Sequence, residues 1–515
     1  MTYPPAVNVF HLLADTARAH PDQPALRQDG TTATYGEALR AALALARALA
    51  ERGIRPGDRV AVLAPNTVAH FHAYFGLAAA GAVLVSLNTR LGAGELAEIL
   101  ADSGARMLVH DDAHGSTNAA MAAELAPRLE LGAHPVAALV AAAAGSAEFG
   151  PRLARSEDTA HLYYTSGTTG RPKGVMLSHA NVFSHARSAV RELGLGASDR
   201  WLHAAPMFHL ADAWATFAVS DVGGLHVFLP RFSARDALDI LAAERITVTN
   251  LIPTMLNLMV KEPGASDRDY AMRVMLSGGA PIAPEVVRQV IRTFRCEYVQ
   301  TYGMTETSPY LTLSLLDDEL RRLPPEQQLA LKCRTGRPFD GIELRVVDDR
   351  GEDVARDDRA VGEIRVKGPT VTRGYWNQPE ATAAAFDERG FLMTGDLATV
   401  DAHGFVNIVD RKKDVIKTGA EAVYSVEVEH VLYQHPAVLE CAVYGTPHEV
   451  WGEAVTAAVV LRPGAHASAD QLVAHCHAHI AGYKCPKSVR FLDALPRTGT
   501  GKIQKRALRQ PGPAR

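Results

Sequence analysis

The run YTSGTTGRPKG, from Tyr164 to Gly174, places small and hydroxyl-bearing residues around one lysine. Glycines allow backbone N–H groups to approach a phosphate closely, and serine and threonine hydroxyls donate further hydrogen bonds. Lys173 adds a positive charge on a long side chain. Residues of these types in one short run indicate a binding site for a polyphosphate.

The spacing of the run excludes the ordinary P-loop of NTPases. That loop ends in Gly-Lys-Ser or Gly-Lys-Thr, whose hydroxyl binds Mg²⁺ and whose amides begin a helix. Here Pro172 precedes Lys173, and Gly174 follows it. The run therefore predicts a different kind of phosphate-binding loop, and a surface turn rich in serine, threonine and glycine is the plainer alternative.

The elements around the run predict an α/β fold. HLYY before it indicates a buried strand, and Ser178 after it is a candidate N-cap of a helix. Apolar residues keep helical spacing along that helix, at Val182, Phe183, Ala186, Val190 and Leu193. Apolar strands alternate with helices over the first ~400 residues, which is typical of parallel sheets covered on both faces. Strands and turns without helices follow Gly336, and a small α+β unit begins near Asp414.

Composition and charge narrow the class of protein. The chain has 515 residues and a net charge of -4 at pH 7, which gives no electrostatic reason to expect a nucleic acid partner. The N-terminus lacks the regions of a signal peptide, and no apolar stretch is long enough to span a bilayer. Five scattered cysteines predict reduced thiols, so we expect a cytoplasmic protein without a membrane span. The alanine-rich stretch at 132–150 predicts a surface connection.

Seven further motifs follow the run along the chain. They are PMFH at 206–209, SGGAP at 277–281, YGMTE at 302–306, GRP at 336–338, TGD at 394–396, DRKKDVIK at 410–417 and PRTGTGKIQKRALR at 496–509. With the run at 164–174, they resemble in type and order the motifs of the adenylate-forming superfamily. That superfamily includes acyl- and aryl-CoA ligases, nonribosomal-peptide adenylation domains and luciferases.

The resemblance implies a two-domain architecture. A large adenylation domain over residues 1–412 is expected to combine parallel-rich sheets, flanking helices and a β-rich subdomain. A small mobile α+β domain over residues 413–515 is expected to carry the catalytic lysine. Lys413 occupies the family's hinge position.

The resemblance also implies a two-step reaction. A carboxylate attacks the α-phosphate of ATP, pyrophosphate leaves, and an acyl adenylate forms; the thiol of CoA then takes the acyl group and AMP leaves. The first step is expected to depend on positioning and on positive charge at the phosphates. ATP, Mg²⁺ and coenzyme A are the implied cofactors, and a carboxylic acid is the implied substrate. The sequence leaves the oligomeric state open, a homodimer included.

The residues of the ATP site are carried over from the same motifs. Lys502 is expected to bridge the carboxylate and the α-phosphate, Thr305 to contact the α-phosphate, and Glu306 to bind Mg²⁺. Asp396 is expected to accept hydrogen bonds from the ribose hydroxyls, with Arg411 assisting. The other implied nucleotide-binding residues are Thr165, Ser166, Gly167, Thr168, Thr169, Gly170 and Lys173 at the phosphates, Gly279, Ala280, Gln300, Tyr302 and Gly303 around the adenine, and Lys413 at the hinge.

The acid pocket is carried over in the same way. His209 matches the gate beside the carboxylate. The matching pocket-lining positions are Ala211, Ala215, Gly278, Thr301, Ser308, Pro309 and Tyr310. The small alanines open one side of such a pocket, and Thr301 and Tyr310 constrict another. These side chains suit a medium- or long-chain fatty acid and an aromatic acid about equally.

The acceptor loop departs from the family pattern. Most relatives have a second glycine and a polar amide residue there, whereas this chain reads Gly419, Ala420, Glu421 and Ala422. In those relatives the second glycine lines a tunnel for the thiol of CoA, so the methyl group of Ala420 is expected either to tighten this tunnel or to hinder a φ > 0 conformation. The missing amide at Ala422 is expected to remove a hydrogen bond worth ~1 kcal/mol. CoA is still the expected acceptor. The alternatives are an amine, a carrier protein or another small nucleophile as acceptor, and a non-catalytic nucleotide-binding homologue.

Overall fold

The computed structural model describes residues 7–114, 116–144, 149–166, 172–280, 282–419, 421–497 and 503–509. The chain forms two compact units. The first comprises Met1–Leu344 and Val366–Leu392, and the second comprises Arg345–Arg365 and Met393–Arg515. The sequence-based boundary between residues 412 and 413 refers to a hinge, and it stays a prediction.

The first unit contains a nine-stranded sheet. Its six central strands are parallel, and antiparallel strands complete both edges. In order across the sheet, the strands are Arg337–Pro338, Tyr310–Leu313, Glu297–Gly303, Val274–Gly278, Val248–Asn250, Arg200–His203, Leu225–Phe228, Pro24–Gln28 and Thr31–Thr34. The central strands are largely buried, as expected of parallel strands that are covered on both faces.

A six-stranded sheet of the first unit carries the residues that flank the glycine-rich run. In order across the sheet, its strands are Ala133–Pro135, Met107–His110, Arg59–Leu63, Val83–Ser86, Thr159–Ser166 and Pro172–Ser178. The first five strands are parallel, and the last pairs antiparallel with Thr159–Ser166. The run at 164–174 therefore includes the facing ends of the last two strands of this sheet.

Helices cover both faces of the nine-stranded sheet. Leu202 packs in an apolar cluster with the helices between residues 234 and 294. Neighbouring side chains of a strand point to opposite faces, and the ring of Trp201 lies 5.0 Å from that of Trp214, in the helix Leu210–Asp221. Side chains of one strand thus contact helices on both sides.

The described part of the first unit contains the following helices: Phe10–Ala19, Tyr35–Glu51, Val68–Ala80, Ala93–Ser103, Ser116–Leu125, Val136–Ala143, His179–Leu193, Leu210–Asp221, Ala234–Ala243, Pro253–Lys261, Pro284–Phe294, Pro325–Lys332 and Pro379–Ala383. Short 3₁₀ turns occur at Ala126–Arg128, Ala265–Asp267, Thr305–Thr307 and Leu320–Arg322. In the part of the chain that the structure describes, no helix combines the length and the apolar character that a membrane span requires.

The second unit is built on two further sheets. A four-stranded sheet, of which a few edge residues are assigned to the first unit, consists of Glu343–Val347, Gly362–Lys367, Leu392–Val400 and Val406–Arg411. A five-stranded sheet consists of Glu421–Val423, Ile416–Thr418, Gly452–Leu461, Val438–His448 and Ser488–Phe491. The described helices of this unit are Ser425–Gln434, Ala469–His479 and Lys505–Arg509. An apolar cluster that includes Ile416, Val443 and Leu472 forms its core.

The fold class predicted from the sequence is confirmed, with one local error. Ser178 caps the helix His179–Leu193 and accepts a hydrogen bond from the Asn181 N–H, as the sequence predicts. The stretch at 132–150 is not a plain surface connection, because it contains a paired strand and the helix Val136–Ala143. The buried residues of that helix, Val136, Leu139 and Ala143, recur at helical spacing and form an apolar face.

Candidate active site

The β-hairpin around the glycine-rich run places Thr165 and Lys173 opposite each other. Its two strands, Thr159–Ser166 and Pro172–Ser178, pair Thr165 with Lys173 and Tyr164 with Gly174. Both predicted phosphate-binding residues therefore project from the strand ends that the run connects. The predicted residues Gly167, Thr168, Thr169 and Gly170 lie outside the described residues, as does the side chain of Ser166.

A second segment fixes the edge of this hairpin. The Trp376 N–H donates to the carbonyl of Gly174 over 2.7 Å, and the Met176 N–H donates to the carbonyl of Gly374 over 3.1 Å. A Cβ at Gly174 would lie 2.9 Å from Cζ of Tyr164 and 3.3 Å from Cβ of Trp376. Glycine at 174 is thus what allows this close approach of the two segments.

Tyr375 of that segment connects the hairpin lysine to the predicted magnesium ligand. Nζ of Lys173 lies 5.0 Å from the centroid of the Tyr375 ring, within the range of a cation–π interaction. The Tyr375 hydroxyl donates to Oε1 of Glu306 over 3.0 Å. Burial and the neighbouring Glu306 carboxylate raise the pKa of Tyr375, so its hydroxyl keeps the proton that it donates. The sequence reasoning missed Tyr375, which no motif used above contains.

The turn that follows the strand Glu297–Gly303 holds Thr305 and Glu306. Both residues belong to the short 3₁₀ turn Thr305–Thr307, where Thr305 is half-buried and Glu306 is buried. The Thr372 N–H donates to the Glu306 carbonyl over 2.7 Å. A Cβ at Gly303 would overlap the carbonyl oxygen of Pro309. Glycine at 303 is therefore necessary for the turn that presents the carboxylate.

The predicted adenine-binding residues form an exposed shelf at the end of the strand Val274–Gly278. Gly279 and Ala280 are exposed, and Gly279 has a φ of +84°, a left-handed conformation that favours glycine. Nε2 of Gln300 donates to the carbonyl of Ala280 over 3.3 Å, and the Tyr298 hydroxyl donates to Oε1 of Gln300 over 2.5 Å. Tyr302 is half-buried on the neighbouring strand. The structure thus brings together Gly279, Ala280 and Gln300.

The predicted acid-pocket residues come from one helix and the ends of neighbouring strands. His209 is the N-cap residue of the helix Leu210–Asp221, and Ala211 and Ala215 lie one turn apart on it. Thr301 pairs with Gly278 in the sheet, and its hydroxyl donates to the carbonyl of Ser277 over 3.1 Å. The remaining members, Ser308, Pro309 and Tyr310, are buried and follow the Glu306 turn.

Aromatic side chains surround Tyr310. Its ring lies 5.0 Å from that of Trp214 and 5.3 Å from that of His185. Nε2 of His185 accepts a hydrogen bond from the Tyr310 N–H over 3.2 Å, and burial lowers the pKa of His185 to about 3, so this imidazole is neutral. Burial also raises the pKa of Tyr310. The side chains around Tyr310 are therefore aromatic and uncharged.

A buried polar chain, defined by Asp212, His203, His226 and Ser220, connects the helix Leu210–Asp221 to the nine-stranded sheet. Asp212 accepts a hydrogen bond from Nδ1 of His203 over 2.5 Å, because a carboxylate can only accept, and from Nε1 of Trp201 over 3.2 Å. Nε2 of His203 lies 3.0 Å from Nδ1 of His226, and Nε2 of His226 lies 3.1 Å from Oγ of Ser220. The Asp212 side chain thus contacts the sheet, a direction that the sequence could not supply.

The second unit places the two predicted ribose-binding residues side by side. Asp396 and Arg411 are directly paired on antiparallel strands, and Nε of Arg411 lies 3.1 Å from Oδ1 of Asp396. The Asp396 side chain is 5% exposed, whereas that of Arg411 is 50% exposed. The contact with Arg411 fixes the position of the Asp396 side chain. Lys413 follows in an exposed turn.

The acceptor loop belongs to a hairpin of the second unit. Thr418 pairs with Glu421, and the Gly419 N–H donates to the carbonyl of Trp451 over 2.8 Å. Gly419 has a φ of +65°, in the left-handed region that favours glycine, and Glu421 and Ala422 are exposed. Ala420 and Lys502 lie outside the described residues. The roles predicted for all of these residues stay predictions.

The fold and these neighbouring side chains define a class: an α/β protein whose lysine-bearing hairpin lies beside a buried carboxylate. Residues 13–376 match the AMP-binding enzyme family, and residues 427–502 match the AMP-binding enzyme C-terminal domain. The chain therefore belongs to the AMP-binding enzymes.

Relatives of known activity agree with this assignment. The chain is 39% identical to a feruloyl-CoA synthase of Amycolatopsis sp, over 96% of this chain and 97% of that one. It is 35% identical to the fatty acid–[acyl-carrier-protein] ligase ScoC of Streptomyces coeruleorubidus, over 96% and 94%. A solved structure of o-succinylbenzoate CoA synthetase (MenE) from Bacillus subtilis, in complex with ATP and a magnesium ion, matches with a TM-score of 0.84 and 31% identity, over 97% and 99%. These matches confirm the predicted class of enzyme, an adenylate-forming ligase of the acyl-CoA synthetase type.

Proposed function

We propose that this enzyme is an ATP- and Mg²⁺-dependent carboxylic acid–CoA ligase. It converts its acid to an acyl adenylate with release of pyrophosphate, and then transfers the acyl group to CoA with release of AMP. The observation that carries the proposal is the arrangement of Lys173, Tyr375 and Glu306, which places a cation and a buried carboxylate on two sides of one tyrosine. The negatively charged triphosphate requires a cation, and its metal ion requires a carboxylate ligand.

Glu306 fits the predicted role of magnesium ligand. Its carboxylate is a hard oxygen donor, and Mg²⁺ is commonly bound by one or two carboxylates together with substrate phosphates. The Tyr375 hydroxyl orients this carboxylate through Oε1. When bound, the ion supplies positive charge that offsets the charge of the phosphates. Lys173, Thr165 and the run at 166–170 hold the β- and γ-phosphates in this proposal.

The remaining roles in the first step rest on the motif positions and on the local contacts. Gly279, Ala280 and Tyr302 bind the adenine, and Asp396 binds the ribose hydroxyls beside Arg411. Thr305 donates to the α-phosphate. Lys502 neutralises charge at the carboxylate and the α-phosphate as the new bond forms, a contribution of roughly 3–4 kcal/mol for one donor in such a site.

The acid is a medium- or long-chain fatty acid or an aromatic acid. Ala211 and Ala215 carry small side chains on one helix, and the rings of Trp214 and Tyr310 pack beside them. In this proposal the alanines leave room for the acid and the rings contact it. His209, at the start of that helix, gates the carboxylate in this proposal. A fatty acid and an aromatic acid suit these side chains about equally.

A second candidate function is transfer of the acyl group to a carrier protein or another nucleophile instead of CoA. Two observations favour it: alanine in place of a polar amide residue at 422, and the similarity to ScoC, a fatty acid–[acyl-carrier-protein] ligase. The exposed position of Ala422 leaves the loop open to a bulky acceptor. The two candidate functions share the same reaction as far as the acyl adenylate and differ only in the acceptor.

A pyrophosphate-release assay separates these functions. Purified full-length protein is given ATP and Mg²⁺ with a panel of fatty and aromatic acids, with and without CoA. Release that depends on acid and is accelerated by CoA is the expected result, and chelation of Mg²⁺ with EDTA abolishes it. Acid-dependent release that CoA does not accelerate favours the other acceptors. No release with any acid contradicts both functions and favours a non-catalytic homologue.

A further inference from the structure

Asn250 is a buried polar residue that no motif in the sequence singles out. It ends the strand Val248–Asn250 and is 3% exposed. Val248 is paired with Trp201, and side chains two residues apart on a strand share a face. Asn250 therefore lies on the Trp201 face of the sheet, beneath the helix Leu210–Asp221.

The side-chain amide of Asn250 has a fixed orientation. Its Nδ2 donates to the carbonyl of Ala211, at the start of the helix. A carbonyl only accepts, so the NH₂ group must face it, and Oδ1 points elsewhere. Nε1 of Trp214 donates to the same carbonyl over 3.2 Å. Asn250 and Trp214 thus meet at a residue that is predicted to line the acid pocket.

The Oδ1 atom of Asn250 is buried and accepts no hydrogen bond from any residue in the described ranges. An unsatisfied buried acceptor costs free energy, and native proteins keep few of them. A second group of this kind is nearby: the buried hydroxyl of Tyr310 lies beside Trp214 and Thr301 without a well-aligned hydrogen bond to either. Both atoms belong to residues near Trp214, since Asn250 shares the Ala211 carbonyl with it and Tyr310 packs on its ring. Two such atoms near one side chain indicate that another group completes them.

We propose that Asn250 is a specificity-determining residue of the acid pocket, and that its Oδ1 accepts a hydrogen bond from a hydroxyl group on the body of the acid. The substrate is then a hydroxylated aromatic acid. This inference rests on the proposed adenylation of a carboxylic acid, and it chooses between the fatty and aromatic alternatives left above.

The chemistry of the amide oxygen limits which groups of a substrate can bind it. Oδ1 can only accept, so it requires a donor that is protonated at neutral pH. A phenolic hydroxyl, with a pKa of about 10, meets this requirement, whereas a second carboxylate is itself only an acceptor. An unsubstituted fatty acid has no donor to offer. The rings of Trp214 and Tyr310 contact each other, with centroids 5.0 Å apart, so the surroundings of Asn250 are aromatic, and an aromatic acid packs against such rings better than a flexible chain does.

Matched pairs of acids test the proposal. Pyrophosphate release is measured with cinnamate and 4-hydroxycinnamate, with cinnamate and 3-hydroxycinnamate, and with benzoate and 4-hydroxybenzoate. A site that is built to bind a substrate hydroxyl discriminates strongly against the analogue that lacks it. For at least one pair we expect the wild-type kcat/KM ratio of hydroxylated to unsubstituted acid to be about tenfold or more, since one hydrogen bond to a buried acceptor is at stake.

Variants assign that preference to Asn250. In Asn250→Leu and Asn250→Ala we expect the ratio for the preferred pair to fall to near one, because the acceptor is gone. Ser277→Ala is the matched control: it also removes a buried side-chain oxygen, but Ser277 is paired with Gln300 and faces the opposite side of the sheet. Its ratio should equal that of the wild type. Melting temperatures are recorded for every variant.

The outcomes separate this proposal from the function on which it rests. If acids are adenylated but no hydroxylated acid is preferred by the wild type, or if the preference survives in both Asn250 variants, the proposal is overturned and the ligase function stands. If a variant fails to fold, the wild-type ratio and the second variant still decide. If no acid is adenylated, the function and the proposal are overturned together.

Discussion

Replacing Tyr375 by phenylalanine tests the connection between Lys173 and Glu306. The substitution removes one hydrogen bond, of 3.0 Å, to the Glu306 carboxylate, and it keeps the ring that faces Lys173 at 5.0 Å. Hydrogen bonds to charged groups contribute about 1.5–3 kcal/mol. Tyr375 is only half-buried, so the lower end applies, and about 1.4 kcal/mol corresponds to a factor of ten. We expect Tyr375→Phe to raise the Mg²⁺ concentration for half-maximal activity about tenfold.

The assay is pyrophosphate release at saturating acid and ATP over a range of Mg²⁺ concentrations. Tyr270→Phe is the control, because the Tyr270 hydroxyl also donates a hydrogen bond, of 2.7 Å to the carbonyl of Ala265, and is not part of the proposed site. Tyr375→Leu, which removes the ring as well, should lose more activity than Tyr375→Phe. The reasoning is refuted if the Mg²⁺ requirement of Tyr375→Phe equals that of the wild type, or if the control shifts by the same factor.

Three further predictions follow from other parts of the molecule. Lys502→Ala should slow adenylate formation by about 10²–10³-fold while calorimetric binding of Mg-ATP persists; pyrophosphate exchange at the wild-type rate would exclude this lysine from the mechanism. Gly303→Ala should lower the melting temperature by several degrees or more and abolish activity, since its Cβ overlaps the Pro309 carbonyl oxygen; a melting temperature equal to the wild type contradicts this. Burial lowers the pKa of His161 to about 3, so below pH 6.5 the unfolded chain binds a proton that the folded chain does not. The contribution of His161 to the free energy of unfolding is therefore fully present above pH 6.5. It falls on acidification toward pH 3, by up to about 1.4 kcal/mol per pH unit. His161→Phe should show a shallower loss of melting temperature between pH 6.5 and 5, and equal slopes would show that His161 does not titrate in this way.

Local signals in the sequence were sufficient for the elements near the glycine-rich run. The strand that contains HLYY and the helix that Ser178 caps depend on side-chain spacing and on one capping hydroxyl, both of which act over a few residues. The motifs that the chain shares with the adenylate-forming superfamily assigned Asp396 and Arg411 to one site, and their roles at the ribose stay predictions. Such features can be read without knowledge of tertiary contacts.

Contacts between distant segments could not be predicted. Tyr375 reaches Glu306 across 69 positions of the chain, and Asn250 reaches Ala211 across 39. No spacing rule joins residues this far apart, because the pairing is set by how strands and helices assemble. The alanine-rich stretch was misjudged for a related reason: the small side chains of Val136–Ala143 give a weak signal, and the packing of the helix decides its state.

The buried polar chain has a consequence for how the enzyme could change its substrate. Asp212 in the first turn and Ser220 in the last turn attach both ends of one helix to histidines of the sheet. A shift of this helix away from a larger side chain would break these buried hydrogen bonds, and a buried polar group left without its partner costs free energy. In the proposed acid pocket, a larger side chain at Ala215 would therefore take its space from the acid, and the residue at this position would limit the size of the substrate.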